Sequence, residues 1–169
     1  MNTLNKRLIS GLAATMLAAI YSQAAFAADA TGNAAATVLA PLTITQNGTG
    51  LDFGDVAGDT TSATTVVMTS AGAASSADGA YVANNGQAGT FDVTGGNGLG
   101  YNITLPPAAV TLTSGGGDTV TVDTFTDSIG GSGTIGTEDS FTVGATLNLS
   151  AAQPAGAYTG TYTVTVEYQ

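Results

Sequence analysis

Carboxylates are the chain's main supply of reactive side chains. Its 169 residues hold twelve Asp and Glu, two Lys and Arg, and no His, Cys or Trp. Three close acidic pairs stand out: Asp52 with Asp55, Asp123 with Asp127, and Glu138 with Asp139. Two carboxylates on either side of a glycosidic bond can divide the acid and base roles of hydrolysis. Asp is also the residue that turns recruit, because its side chain accepts hydrogen bonds from the backbone just ahead of it. The turn role is the commoner one, and the chain reads as a non-enzyme with no catalytic residue assigned. Ser–His and Cys–His nucleophiles are absent by composition. No Gly-x-Ser-x-Gly elbow occurs either.

Metals are restricted in the same way. Zinc, haem, copper and iron–sulfur centres lose their usual Cys and His ligands. Calcium suits clustered oxygen ligands, yet no EF-hand spacing is present. Gly115-Gly116-Gly117-Asp118 is only a single copy of something like a β-roll calcium turn. No metal ligand and no cofactor is assigned. The glycine-rich turns lack the Gly-Lys-Ser/Thr of a phosphate loop. Nucleic acid is excluded as a partner, since Lys6 and Arg7 are the only cationic side chains and both lie in the first seven positions.

Those two residues open a targeting segment. Met1–Arg7 is basic, Leu8–Ile20 is mostly apolar, and Ala25-Phe26-Ala27 supplies an A-x-A box. This order predicts a secretory signal peptide over residues 1–27, with a single domain over 28–169. The apolar run is shorter than the roughly 20 residues of a membrane helix. Residues 28–169 then carry all twelve acids and no Lys, Arg or His. The expected location is secreted: extracellular, on the cell surface or periplasmic.

The elements that would position any site read as strands. Gly, Thr, Val and Ala dominate, and short alternating runs are separated by Gly, Asn, Asp and Ser clusters. Tyr158, Tyr162, Val164, Val166 and Tyr168 share one face of a predicted last strand running unbroken from Tyr158 to Tyr168, with Thr159, Thr161, Thr163, Thr165 and Glu167 on the other. Near the other end, Ala34, Ala36, Val38, Ala40, Leu42 and Ile44 share a face, with Pro41 marking an edge or a break. This is either the domain's own first strand or a segment that pairs elsewhere. The first reading is preferred for Leu42 and Ile44, and both stand for Ala28–Val38. Further strands are expected near Leu51–Phe53, Thr64–Thr69, Gly89–Thr94, Tyr101–Leu105, Val110–Thr113, Val120–Phe125 and Phe141–Leu149, with Asp127–Asp139 the longest loop. About eight or nine strands at this length fit an all-β, immunoglobulin-like β-sandwich. Most segments fall short of the roughly 9–11 residues of a membrane-barrel strand, so the chain is not expected to span a membrane.

Four stretches carry a resemblance. They are Leu51-Asp52-Phe53-Gly54-Asp55-Val56, Thr90-Phe91-Asp92-Val93-Thr94-Gly95, Tyr101-Asn102-Ile103-Thr104-Leu105-Pro106 and the run from Gly156 to Gln169. Together they resemble a bacterial secreted family, domain of unknown function 4402. They are also similar to chaperone–usher pilin subunits of the archaic, spore-coat-U-like branch, although the Cys pair of many pilins is absent. The resemblance implies a sandwich completed by a neighbour's donor strand, with Ala28–Ala40 as the donor. It further implies self-association or related subunits, a periplasmic chaperone and an usher as partners. The function expected is a secreted structural or adhesive surface subunit that assembles by β-strand addition. The alternative is a monomeric surface or periplasmic module binding calcium or a glycan.

Overall fold

The computed structural model describes residues 27–83 and 85–169, and only the backbone of Tyr81. The expected signal peptide lies, but for Ala27, outside the described residues. Among the described residues there are thirteen strands and no helix. In chain order they are β1 (Thr43–Asn47), β2 (Val56–Ala57), β3 (Thr64–Met68), β4 (Ala74–Ser75), β5 (Tyr81–Val82), β6 (Gly89–Thr94), β7 (Gly100–Thr104), β8 (Val110–Ser114), β9 (Thr119–Asp127), β10 (Ser132–Thr134), β11 (Ser140–Leu149), β12 (Tyr158–Thr159) and β13 (Thr165–Tyr168). Among the described residues no helix is long and apolar enough to cross a membrane.

All pairings are antiparallel. The main sheet runs β1-β6-β11-β9-β8-β12, with β3 and β4 beside the second half of β11. A second sheet runs β10-β7-β13, and β2 with β5 forms a small ribbon. β11 organises the whole. Its alternation is the cleanest in the chain: Phe141, Val143, Ala145, Leu147 and Leu149 are all buried. On one edge it pairs with β6 through Ser140–Val143, then with β3 through Ala145–Leu149. Gly144 stands where the partner changes. A Cβ there would run into the backbone of Met68, Thr69 and Ser70, so only glycine lets β3 end this close.

Each half of β11 is covered by a different layer. The first half, with Phe91, Val93, Tyr101 and Ile135, forms an apolar cluster between the main sheet and β7–β13. The second half, with Val66, Met68, Val120 and Val122, forms another cluster under Phe53, Val56 and Val82. Phe125 touches both clusters. It does so because β9 carries an extra residue opposite Gly144–Thr146, and Thr124 takes a left-handed φ of 50° beside it. A bulge of this kind re-aims a side chain and sharpens the local twist. The result is a β-sandwich whose two core clusters share one aromatic.

Three expectations need correction. Asp127–Asp139, expected as the longest loop, holds β10, which pairs with β7. Leu51–Phe53 is not a strand; it contributes one bridge, Asp52 to Gln87. The last strand is not continuous. Tyr158 and Thr159 pair with Ser114 and Thr113 of β8, whereas Thr165–Tyr168 pairs with Thr104–Tyr101 of β7. Gly160–Val164 belongs to no strand. The cause lies on the opposing chain. Counting on from Thr165 opposite Thr104, Val164 faces Leu105, Thr163 faces Pro106 and Tyr162 faces Pro107. Proline has no N–H to give to a ladder. The last segment therefore leaves one sheet and enters the other across the proline pair. Its faces still alternate as expected: Tyr158, Tyr162, Val164, Val166 and Tyr168 are half-buried and the residues between them are exposed.

Candidate functional site

All six acids of the three acidic pairs accept hydrogen bonds, four of them from backbone amides within four residues. Asp52 Oδ1 accepts from the Gly54 amide at 2.8 Å, and Asp55 Oδ2 accepts from Asn85 Nδ2 at 2.8 Å. Asp127 Oδ1 accepts from the amides of Ile129 and Gly131, both at 2.9 Å. Asp123 Oδ2 accepts from Asn148 Nδ2 at 3.0 Å. Glu138 Oε2 accepts from the Thr134 amide at 2.9 Å, and Asp139 Oδ1 from the Gly136 amide at 2.6 Å. Asp59 shows the same habit most fully. Its Oδ1 takes the Thr61 hydroxyl and the amides of Thr61 and Ser62, and the Thr61 hydroxyl above all holds its carboxyl below the ordinary carboxylate range. Among the described residues no group of three or more His, Cys, Asp or Glu could hold a metal ion.

The aromatic side chains build the core rather than a platform. Phe91 and Phe141 stack with centroids 5.6 Å apart, Phe125 and Tyr162 at 5.3 Å, and Tyr162 meets Phe91 edge-on at 6.0 Å. Tyr101 is fully buried and donates its hydroxyl to the Glu138 carbonyl at 2.6 Å. Burial, with the nearby carboxylates of Glu138, Asp139 and Asp127, pushes its hydroxyl pKa up. The Tyr162 hydroxyl is buried with no hydrogen-bond partner among the described residues, and desolvation pushes its pKa up to about 12.

Two features remain unpaired, and they are complementary. The first is the N-terminal segment. Residues 27–42 form no strand, and Ala34, Ala36, Val38 and Ala40 are exposed, Val38 to 94 % and Leu39 to 53 %. The ladder begins only at Thr43, two residues past Pro41. Leu42 and Ile44 pack against the first apolar cluster. The base of the segment is tied down by Tyr168, whose hydroxyl donates to the Ala40 carbonyl at 2.8 Å and accepts from the Gly96 amide at 2.7 Å. Of the six residues expected to share this donor or edge-strand face, Leu42 and Ile44 pack within the domain, and Ala34, Ala36, Val38 and Ala40 are exposed.

The second is a cleft of about 560 Å³ over the other apolar cluster. Leu51–Gly58 forms one wall and Gln153–Tyr158 the other, with Leu112, Val120, Leu147 and Leu149 as the floor. The second wall leads into Gly160–Val164, which makes no backbone–backbone hydrogen bond within the described residues. Alternation in the sequence locates both strand ends. The cleft is not legible there, because its walls are turns and its floor comes from three strands distant in sequence.

The family model for a domain of unknown function, DUF4402, matches residues 42–168. The match takes in every strand and stops just short of the exposed segment. Comparison with curated proteins gives no match, and neither does comparison with solved structures.

Proposed function

The chain belongs to the domain of unknown function DUF4402 family, and from that premise we propose that it is an exported structural or adhesive surface subunit that assembles by β-strand addition. One observation carries the reading: an alternating segment, uncharged from Ala30 on, pairs with no strand and precedes a sandwich that has a cleft over one of its apolar clusters. An extended segment that joins a sheet edge gains main-chain hydrogen bonds while alternate side chains enter a groove. Left free, the same segment exposes Val38 and Leu39 to water, and an open edge offers donors and acceptors to any passing strand. The resemblance to archaic chaperone–usher pilins supports the same reading. On it, residues 1–27 direct export, a periplasmic chaperone shields the edge, and an usher hands the subunit on.

Electron microscopy and size-exclusion chromatography of material exported with its own leader test this. Fibres or a ladder of oligomers are expected. Monodisperse monomers at every concentration reached would exclude assembly and leave the monomeric binding module in its place.

A further inference from the structure

We infer that Asn85-Gly86 is a self-modifying site: the Gly86 amide nitrogen closes on the Asn85 side chain, ammonia leaves, and the product loosens the Leu51–Gly58 wall of the cleft. The inference does not depend on assembly by strand addition.

The chemistry starts from glycine. With no Cβ in the way, a glycine after an asparagine brings its backbone nitrogen to the side-chain Cγ and closes a five-membered ring. The chain holds three Asn-Gly pairs: Asn47-Gly48, Asn85-Gly86 and Asn97-Gly98. The fold treats them differently. The Gly98 amide donates to the Ile135 carbonyl at 2.9 Å, so that nitrogen is committed. Asn47 is the last residue of β1, and pairing with Thr90 fixes its backbone. Asn85 is exposed and belongs to no strand, and the Gly86 amide makes no backbone–backbone hydrogen bond among the described residues.

Asp55 supplies both contacts that the reaction uses. Its amide donates to Asn85 Oδ1 at 2.8 Å, and its Oδ2 accepts from Asn85 Nδ2 at 2.8 Å. These two bonds fix which end of the side-chain amide is oxygen. Attack by the Gly86 nitrogen puts negative charge on Oδ1, where the Asp55 amide already points. As the Cγ–Nδ2 bond breaks, the departing nitrogen takes a proton from water beside the Asp55 carboxylate. Fixed groups at the places where charge develops speed such a step. The Gly86 N–H proton goes to solvent and ammonia leaves. Water then opens the ring to an aspartyl or isoaspartyl residue, so that one amide and one water become one carboxylate and one ammonium ion.

The product does not suit its surroundings. A carboxylate at position 85 has no N–H for Asp55 Oδ2, and beyond Arg7 the chain has no cationic side chain to offset the two like charges. An isoaspartyl link also lengthens the backbone where space is lacking: a Cβ on Gly86 would already run into the backbone of Asp52, Phe53 and Gly54. Asn85 and those three residues line the cleft, so conversion displaces its wall.

Full-length protein, exported and purified unassembled, is aged in warm buffer at neutral and mildly alkaline pH. Chymotrypsin frees the peptide between Tyr81 and Phe91, and tandem mass spectrometry follows the exchange of ammonia for water at each asparagine. Asn85 should convert several-fold faster than Asn47 and Asn97. Asp55→Asn keeps an oxygen to accept from Nδ2 but removes the charge, and should slow conversion several-fold. Faster conversion in that variant means that Asp55 protects the amide, and the proposal falls. It falls equally if Asn47 or Asn97 keeps pace with Asn85, or if Asn85 converts only in urea-unfolded protein. Asn85→Asp tests the consequence. Amide hydrogen exchange across residues 52–57 should rise several-fold while Thr165–Tyr168 keeps its rate. Unchanged exchange across residues 52–57 would overturn the loosening of the wall.

Discussion

Tyr162 is the residue at which core and edge meet. Its ring is held between Phe91 and Phe125, but its hydroxyl is buried without a partner, and Gly89 lies so close that no larger residue would fit beneath it. An unpartnered buried hydroxyl costs about 1–3 kcal/mol. Tyr162→Phe keeps the ring contacts and removes that cost, so it should stabilise the fold by about 1 kcal/mol, read as a higher denaturant midpoint at an unchanged slope. A loss of stability would mean that the hydroxyl has a partner. The pH dependence follows from the same burial. The folded pKa of Tyr162, about 12, lies above the ordinary 10.0, so the unfolded chain releases this proton first. Stability from Tyr162 is therefore complete below pH 10.0 and is lost as pH rises through about 12. The Phe variant should lose less stability across that window. Its remaining alkaline loss should include the share of Tyr101, whose pKa is raised in the same direction. Asp59 acts at the other end of the scale. Its lowered carboxyl contributes above the ordinary value and loses that contribution as pH falls through its folded value.

At the scale of elements, the last strand shows what a sequence exposes and what it conceals. Period-two alternation from Tyr158 to Tyr168 places every side chain on its correct face, because inward and outward positions depend only on local backbone geometry. Strand continuity depends on a partner, and the partner's Pro106 and Pro107 stand more than fifty residues earlier in the sequence. β3, β6, β7, β8, β9 and β11 are legible for the same local reason. The two-residue strands β2, β4 and β5 are too short to alternate, and β10 sits in a loop whose pairing to β7 only the fold creates. The N-terminal segment errs the other way: Ala34–Leu42 alternates well yet forms no strand, since alternation without a partner supplies no ladder. The proline account can be tested directly. Replacing Pro106 and Pro107 by Thr restores a donor that faces the Thr163 carbonyl, while position 107 stands opposite Tyr162 at a non-hydrogen-bonded pair. Amide hydrogen exchange at residues 161–164 should then slow by roughly tenfold or more, while exchange in Thr165–Tyr168 changes little. Unchanged exchange would place the cause of the break elsewhere, in the extra residues between β7 and β8.

On the scale of the whole molecule, charge sets the terms on which copies can meet. Beyond Arg7 the chain carries twelve carboxylates and no cationic side chain, so any two copies repel. Beyond Arg7 no side-chain charge of one can attract the other, so on the strand-addition reading association is driven by apolar contact and backbone pairing. This predicts an unusual salt response. Interfaces built on opposite charge weaken as salt is added, because screening removes the attraction. Here screening removes only repulsion. Raising ionic strength from about 0.01 M to about 0.15 M shortens the Debye length from about 30 Å to about 8 Å, so assembly should become several-fold faster. Light scattering at fixed protein concentration measures it. The thermal midpoint of unassembled protein should rise over the same range, since self-repulsion within one copy is relieved as well. Assembly that slows with salt would contradict the argument at its root, because it requires a positive charge between the copies that no side chain beyond Arg7 supplies. Repeating the salt series with a chelator would then show whether a bound divalent cation supplies it: recovery of the expected salt response would assign the attraction to the cation, and persistence would assign it to a basic partner.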